Sequence, residues 1–221
     1  MDSPLGSRQL NEEEWKGWKS DDSVFDNERR LFVLADSVVK LRPKRILDIG
    51  CGSGFLAGLI MKELPGIEIH GIDFSITALK RCKNTSQVYC VDIERSHIPF
   101  KDQAFDLIIC SEVLEHLFGP EHVVAEIYRL LTIDGIGIIT VPNFSFWRFR
   151  LQSLIGMVPN IVSHPGHFQV FNLELLQKLI NKFSFRIVSI SGIHQRLHFV
   201  ENIWPGFTCD TLVCKFKHEK G

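Results

Sequence analysis

Apolar residues along this chain alternate between two rhythms. Short apolar runs occupy residues 45–49, 68–72, 87–91, 105–110 and 136–141. Their length and their abrupt ends at glycine, proline or acidic residues predict buried strands. Between them, apolar positions recur at helical spacing over 55–64, 76–82 and 120–131, with a short helix over 112–117. Pro65 and Gly66 close the first of these helices, and Pro120 sits at a first-turn position of the last. An earlier helix carries Leu31, Leu34, Ala35, Val38 and Val39 and ends before Pro43. The alternation predicts an α/β fold: a doubly wound, mostly parallel sheet with helices on both faces.

The rhythm breaks over residues 144–171, an aromatic insertion holding Phe144, Phe146, Trp147, Phe149 and Phe168 with Arg148 and Arg150 interleaved. It reads as a substrate lid, a partner surface, an interfacial membrane segment or simple packing. Asn172 then caps a helix to about residue 183, and residues 186–190 and 211–216 read as two last strands. Residues 1–44 form a helical cover in which Trp15, Trp18 and Phe25 are candidate lid residues, and 45–221 form one domain.

The chemistry concentrates where the first strand meets glycine: Leu47-Asp48-Ile49-Gly50-Cys51-Gly52-Ser53-Gly54. Glycines allow a tight turn and close approach of a ligand to the backbone, and the following helix offers its N-terminal N–H groups. A dinucleotide fingerprint would place its third glycine at position 55, which is Phe55; here it comes one residue early, at Gly54. Asp48 puts a carboxylate before the turn, which suits a ligand with ammonium and sulfonium groups better than a pyrophosphate. Asp73, ending the second strand, can accept ribose hydroxyls, with Phe74 against adenine. Asp92 can accept an exocyclic amine while Ile93 covers the ring. Ser111-Glu112-Val113-Leu114-Glu115-His116 follows the fourth strand, and the i, i+4 spacing sets Glu112 and His116 on one helical face.

This ordered set, together with Ile98-Pro99-Phe100-Lys101-Asp102-Gln103-Ala104-Phe105-Asp106 and Val141-Pro142-Asn143, resembles class I S-adenosylmethionine-dependent methyltransferases. It looks most like the broad type 11 small-molecule group, and it covers roughly residues 45–192. The resemblance implies a Rossmann-like sheet of seven strands with a reversed last hairpin. It implies Asp48, Gly50, Cys51, Gly52 and Gly54 at the methionine end of the cofactor, Asp73 and Phe74 at the ribose and adenine, Asp92 and Ile93 at the adenine, and Ser111 and Glu112 beside them. S-adenosylmethionine would leave as S-adenosylhomocysteine. A narrower stretch, 142–152, is similar to the methionine-biosynthesis protein MetW, which would imply an accessory protein acting with a partner enzyme. That family commonly has Gln where this chain has Glu112.

The expected catalytic residues, wherever an acceptor must lose a proton, are His116 first, then Glu112 and His167. His164 and His167 lie three apart and His194 and His198 four apart, but no cysteine or carboxylate cluster stands beside them in the sequence, so no metal is expected. Net charge is −1, with 25 basic and 26 acidic residues, which argues against nucleic acid and for a small-molecule acceptor. Six cysteines without a Cys-x-x-Cys pair, no signal-like opening and no membrane-length apolar run predict a cytoplasmic protein without a transmembrane segment. A protein partner or homodimer stays open.

Overall fold

The computed structural model describes residues 29–83, 85–194, 201 and 203–219. Trp15, Trp18, Phe25 and His198 lie outside the described residues. Helix α1 (Arg29–Leu41) leads into β1 (Arg45–Ile49), α2 (Phe55–Glu63), β2 (Glu68–Asp73), α3 (Ile76–Leu79) and β3 (Gln87–Cys90). β4 (Phe105–Ser111), a 3-10 turn (Leu114–His116), α4 (Pro120–Leu130) and β5 (Leu131–Pro142) follow. The chain ends with α5 (Trp147–Leu154), α6 (Asn160–Ser163), α7 (Leu173–Asn181), β6 (Phe185–Ile193), α8 (Pro205–Thr208) and β7 (Thr211–His218). The strands form one sheet in the order β3-β2-β1-β4-β5-β7-β6, and β7 alone runs antiparallel to its neighbours. The seven strands and the reversed last hairpin are those the resemblance implies.

Strand residues alternate between two cores. Leu47, Ile49, Ile108 and Ile139 pack with Val123, Val124, Ile127 and Leu130 of α4 and Leu176 and Ile180 of α7. Ile46, Ile69, Leu107 and Ile138 face the other way, onto Leu34 and Val38 of α1 and Leu56 and Ile60 of α2. α1 is thus a layer of the sandwich, its apolar stripe buried on the sheet. Order along the parallel strands reverses between β1 and β4, which opens a crevice at their carboxyl ends.

Two differences from the pattern reading have physical causes. β5 begins at Leu131, earlier than its apolar run, because Leu131 pairs with Phe105 before the β4–β5 register shifts, the extra residues lying on β5. Residues 112–117 do not form a helix. Glu112 stands at φ 54°, in the left-handed region, and its N–H donates to Thr140 O at 3.1 Å. Only Leu114–His116 makes a 3-10 turn, so Glu112 and His116 do not share a helical face. A tertiary hydrogen bond to β5 overrides the local spacing.

The 98–106 motif is structural. Glu126 on α4 is buried; its carboxylate accepts from Ile98 N–H at 2.8 Å and from Arg129 at 2.8 and 3.0 Å. Arg129 also donates to the Ile98, Phe100 and Asp102 oxygens. Burial alone would raise the Glu126 carboxyl; Arg129 and the Ile98 N–H outweigh it and hold the group below its usual value. Asp106 accepts from the Lys44 and Arg45 N–H groups and fixes the entry to β1. Arg129→Met strands a buried carboxylate and should lower stability by about 3–5 kcal/mol, whereas Arg129→Met with Glu126→Met should recover most of it. Urea titration measures both, and a single-variant loss under about 1 kcal/mol would show that the loop does not rely on this pair.

Candidate functional site

The first wall of the crevice is the glycine turn. Gly50, Gly52 and Gly54 stand at φ 75°, 52° and 75°. At Gly50 a Cβ would lie 2.3 Å from Val113 Cγ2, so only glycine lets the turn press on the segment after β4. The turn is stapled to β2: Gly50 and Cys51 N–H donate to Ile72 O at 2.8 and 3.1 Å, and Gly52 N–H donates to Asp73 Oδ2 at 3.0 Å. Asp73 Oδ1 accepts from Ser75 N–H at 2.8 Å. Asp73 therefore sets the shape of the turn as well as lining the crevice. Cys51 Sγ packs toward Gly71, which leaves Cys51 only its backbone to offer a ligand.

Asp48 lies on the α1–α2 side of β1 and is 4% exposed. Burial first, then the neighbouring Cys82 and Asp73, push its carboxyl up to about 7, opposed by the charge of Arg30. Asp92, half-buried, sits past β3; its Oδ1 accepts from Glu94 N–H at 3.2 Å and its carbonyl from Ser96 N–H at 2.8 Å. Phe74 is half-buried beside Asp73, whereas Ile93 is buried within the core.

The opposite wall follows β4. The Arg30 guanidinium of α1 donates to Ser111 Oγ, which lies 2.9 Å from Thr140 Oγ1; Thr140 in turn donates to Glu112 Oε1 at 3.0 Å. This chain ties α1, β4 and β5 together across the crevice. Neither Arg30 nor Thr140 was singled out by the sequence reading. A basic residue directly before an amphipathic helix stripe, and a lone threonine in an apolar strand, carry no motif.

His116 and His167 come together here. Their ring centroids are 4.9 Å apart, although the segments are far apart in sequence. His116 Nδ1 contacts Gly166 O at 2.8 Å and His167 Nδ1 contacts Ile161 O at 2.9 Å. A carbonyl only accepts, so both rings donate from Nδ1 and carry the lone pair on Nε2 when neutral. Burial, with the nearby His116 and His164, pushes His167 down to about 4. Glu115 is 2% exposed, and burial and Glu112 raise its carboxyl well above the usual range. The insertion that carries His167 is anchored by Phe146, Ile161 and Phe171, and its two ends meet where Phe144 N–H donates to Phe171 O. Its outer surface stays apolar and exposed at Leu151, Leu154, Ile155, Met157 and Val158. Among the described residues no helix is long and apolar enough to cross a membrane.

Residues 47–139 match the family model of a methyltransferase domain. The chain is 29% identical over 168 residues to a ubiquinone biosynthesis O-methyltransferase of Coxiella burnetii, covering 71% of this chain and 69% of that one. It is 32% identical over 132 residues to the enzyme of the same name in Psychrobacter cryohalolentis, covering 54% and 51%. A solved S-adenosylmethionine-dependent methyltransferase from Archaeoglobus fulgidus superposes with a TM-score of 0.64 at 21% identity, covering 88% of this chain and 98% of that one. A chain of the complex containing the Haloferax volcanii Trm112 methyltransferase activator superposes at 0.68 with 16% identity and 99% coverage of both. These matches support a class I S-adenosylmethionine-dependent methyltransferase domain over residues 47–139.

The crevice of the methyltransferase fits its cofactor's charge. Asp48 is a buried carboxylate held near neutrality by burial, and a cationic ligand beside it would favour its ionised form. Three aspartates along the strand ends would repel a pyrophosphate but not S-adenosylmethionine.

A carboxyl raised on folding binds its proton more tightly in the folded state, so its contribution to stability is full below about pH 4 and is lost as pH rises through about 7. The ligand-free methyltransferase should therefore lose stability across that window. Asp48→Asn should flatten this slope and stabilise the ligand-free protein at pH 7.5 by roughly 1–4 kcal/mol. Denaturation midpoints from pH 5 to 8 measure this, and parallel slopes for the two proteins would refute it.

Proposed function

We propose that this enzyme transfers the methyl group of S-adenosylmethionine to a hydroxyl of a small acceptor bound at the end of β4, under the 144–171 insertion. The observation that carries the reading is the juxtaposition of an acidic crevice with a pair of imidazoles whose tautomers are fixed. The O-methyltransferase names of the relatives support an oxygen acceptor, and the near-zero net charge supports a small one over nucleic acid. The cofactor supplies an electrophilic methyl: the acceptor oxygen bonds to carbon as the carbon–sulfur bond breaks, and sulfur keeps that electron pair.

In this reading Asp48 holds the ammonium end, and the turn at Gly50, Gly52 and Gly54 lets the cofactor lie against backbone. Asp73 takes the ribose hydroxyls with lone pairs left over from its two backbone contacts. Asp92 takes the adenine amine and Phe74 lies on the ring, while Ile93 supports that wall from the core. Ser111 and Glu112 line the opposite side, with Glu112 held by Thr140. Because a sulfonium leaves readily, the protein's task is alignment and, where the acceptor hydroxyl is ionisable, management of its proton. The imidazole pair is placed for the latter. His167, pushed to about 4, is too weak a base near neutrality, which leaves His116 as the basic member.

S-adenosylhomocysteine at a hundred times its dissociation constant should stabilise the fold by about 2.7 kcal/mol, and NADH should not. Asp48→Asn should weaken that binding about 10- to 100-fold while the protein stays folded. His116→Ala should leave it unchanged and lower methylation of the true hydroxyl acceptor about 100-fold or more. Failure of S-adenosylhomocysteine to bind, or undiminished turnover in His116→Ala, would overturn the assignment of these roles.

A further inference from the structure

Two cysteine thiols meet behind the glycine turn. Cys51 lies within that turn and is buried; Cys82 follows α3 and is partly exposed. Gly71 of β2 makes room for them. A Cβ there would lie 2.7 Å from Cys51 Sγ and 3.4 Å from Thr85 Cγ2, and the Thr85 hydroxyl lies 3.5 Å from Cys82 Sγ. In this space the Cys51 and Cys82 thiols hydrogen-bond to each other. Asp73 holds both segments: it accepts from Gly52 N–H in the turn and from Ser75 N–H, and Ser75 caps α3. Along the sequence each cysteine stands alone, and the topology pairs them.

The two thiols are chemically unequal. The hydrogen bond to Cys82, then burial, then the carboxylates of Asp48 and Asp73 push the Cys51 thiol far above its usual range. Cys51 therefore keeps its proton and donates it, which leaves Cys82 as the member of the pair that ionises. Cys82 is also the one that solvent reaches. An oxidant thus meets Cys82 first, with Cys51 in place to react with the product. Cys110, Cys209 and Cys214 are buried, and Cys90 is exposed on β3, where its Sγ donates to Phe74 O at 3.5 Å.

We propose that Cys51 and Cys82 are an oxidative modification site, which a hydroperoxide converts to a disulfide that weakens cofactor binding. With hydrogen peroxide, the Cys82 sulfur takes one oxygen as the O–O bond breaks, and the other oxygen leaves as water with the proton Cys82 released. The Cys51 sulfur then bonds to the Cys82 sulfur as the S–O bond breaks, and a second water leaves with the Cys51 proton. Two thiols and one peroxide give one disulfide and two waters. A disulfide needs its sulfurs about 2.05 Å apart, well inside the contact distance of two thiols. Cys51 must therefore shift toward Cys82. Gly50 is pressed on Val113 and Gly52 is held by Asp73, so that shift draws Gly52 N–H off the Asp73 carboxylate and reshapes the turn. The proposal rests on the reading that this turn and Asp73 hold the cofactor. By linkage, bound cofactor disfavours the disulfide by the same factor by which the disulfide disfavours the cofactor.

The test is oxidation of the purified full chain with hydrogen peroxide, followed by non-reducing peptide mapping and calorimetric titration with S-adenosylhomocysteine. A peptide linked through Cys51 and Cys82 should appear, affinity should fall at least about 10-fold, and dithiothreitol should restore it. Reduced Cys82→Ser should bind within about twofold of the unmodified protein and should keep that affinity after peroxide, whereas Cys90→Ser should respond as the unmodified protein does. Saturating S-adenosylhomocysteine should raise the reduction potential of the pair, by about 30 mV for each tenfold loss of affinity. The mapping and the potential are measured on the unmodified protein and hold even if Cys82→Ser fails to fold. No linked peptide, a disulfide that leaves affinity unchanged, or a loss that persists in folded Cys82→Ser would overturn the proposal. Failure of the reduced protein to bind S-adenosylhomocysteine would instead strike the reading of the turn and Asp73 as the cofactor site.

Discussion

Negative charge gathered at the carboxyl ends of β1, β2 and β4 is the constraint around which this structure is arranged. Asp48, Asp73, Glu112 and Glu115 converge where water is largely excluded, and carboxylates so placed repel one another and lose hydration. Each is relieved differently. Asp73 takes N–H groups from Gly52 and Ser75. Glu112 takes the Thr140 hydroxyl. Asp48 is eased by the Arg30 charge and remains poised near neutrality. Glu115 keeps a buried oxygen with no hydrogen-bond partner among the described residues. A crevice lined by so many carboxyls is biased toward cations, and this is what supports the proposal that Asp48 faces the charged end of the cofactor.

The same constraint explains why parts remote in sequence are tied to the crevice. Arg30 reaches from α1 to Ser111, and Thr140 reaches from β5 to Glu112, so both cores of the sandwich report to one edge of the sheet. The left-handed Glu112 is the local cost of this arrangement. A helix through 112–116 would aim its carboxylate along the helix face, away from Thr140; the strained residue keeps it on β5 instead.

Much of this was legible in the sequence because it depends on short-range chemistry. Strand length, glycine spacing and proline stops gave the order of elements, and the carboxylate before the turn separated this crevice from a dinucleotide site. Asn172 shows the same locality: its side chain accepts from Leu175 N–H at 2.8 Å and caps α7 as its position suggests. What failed to show depends on contacts between distant segments. The i, i+4 spacing of Glu112 and His116 is a valid helical signal that one hydrogen bond from β5 overrules. Arg30 and Thr140 acquire roles only through the topology.

The insertion finally separates two kinds of specificity. Both carbonyls that fix the imidazole tautomers, those of Ile161 and Gly166, belong to it, whereas the aspartates belong to the ends of the sheet strands. A change in the loop that moves either carbonyl alters which nitrogen of His116 or His167 is basic without touching Asp48, Asp73 or the glycine turn. In the proposed reading the strand edges hold the charged cofactor and the loop sets the chemistry applied to the acceptor. In a fold whose sheet is held so tightly by packing, that division places the variable part of the reaction on the segment whose own helix, α5, buries none of its side chains.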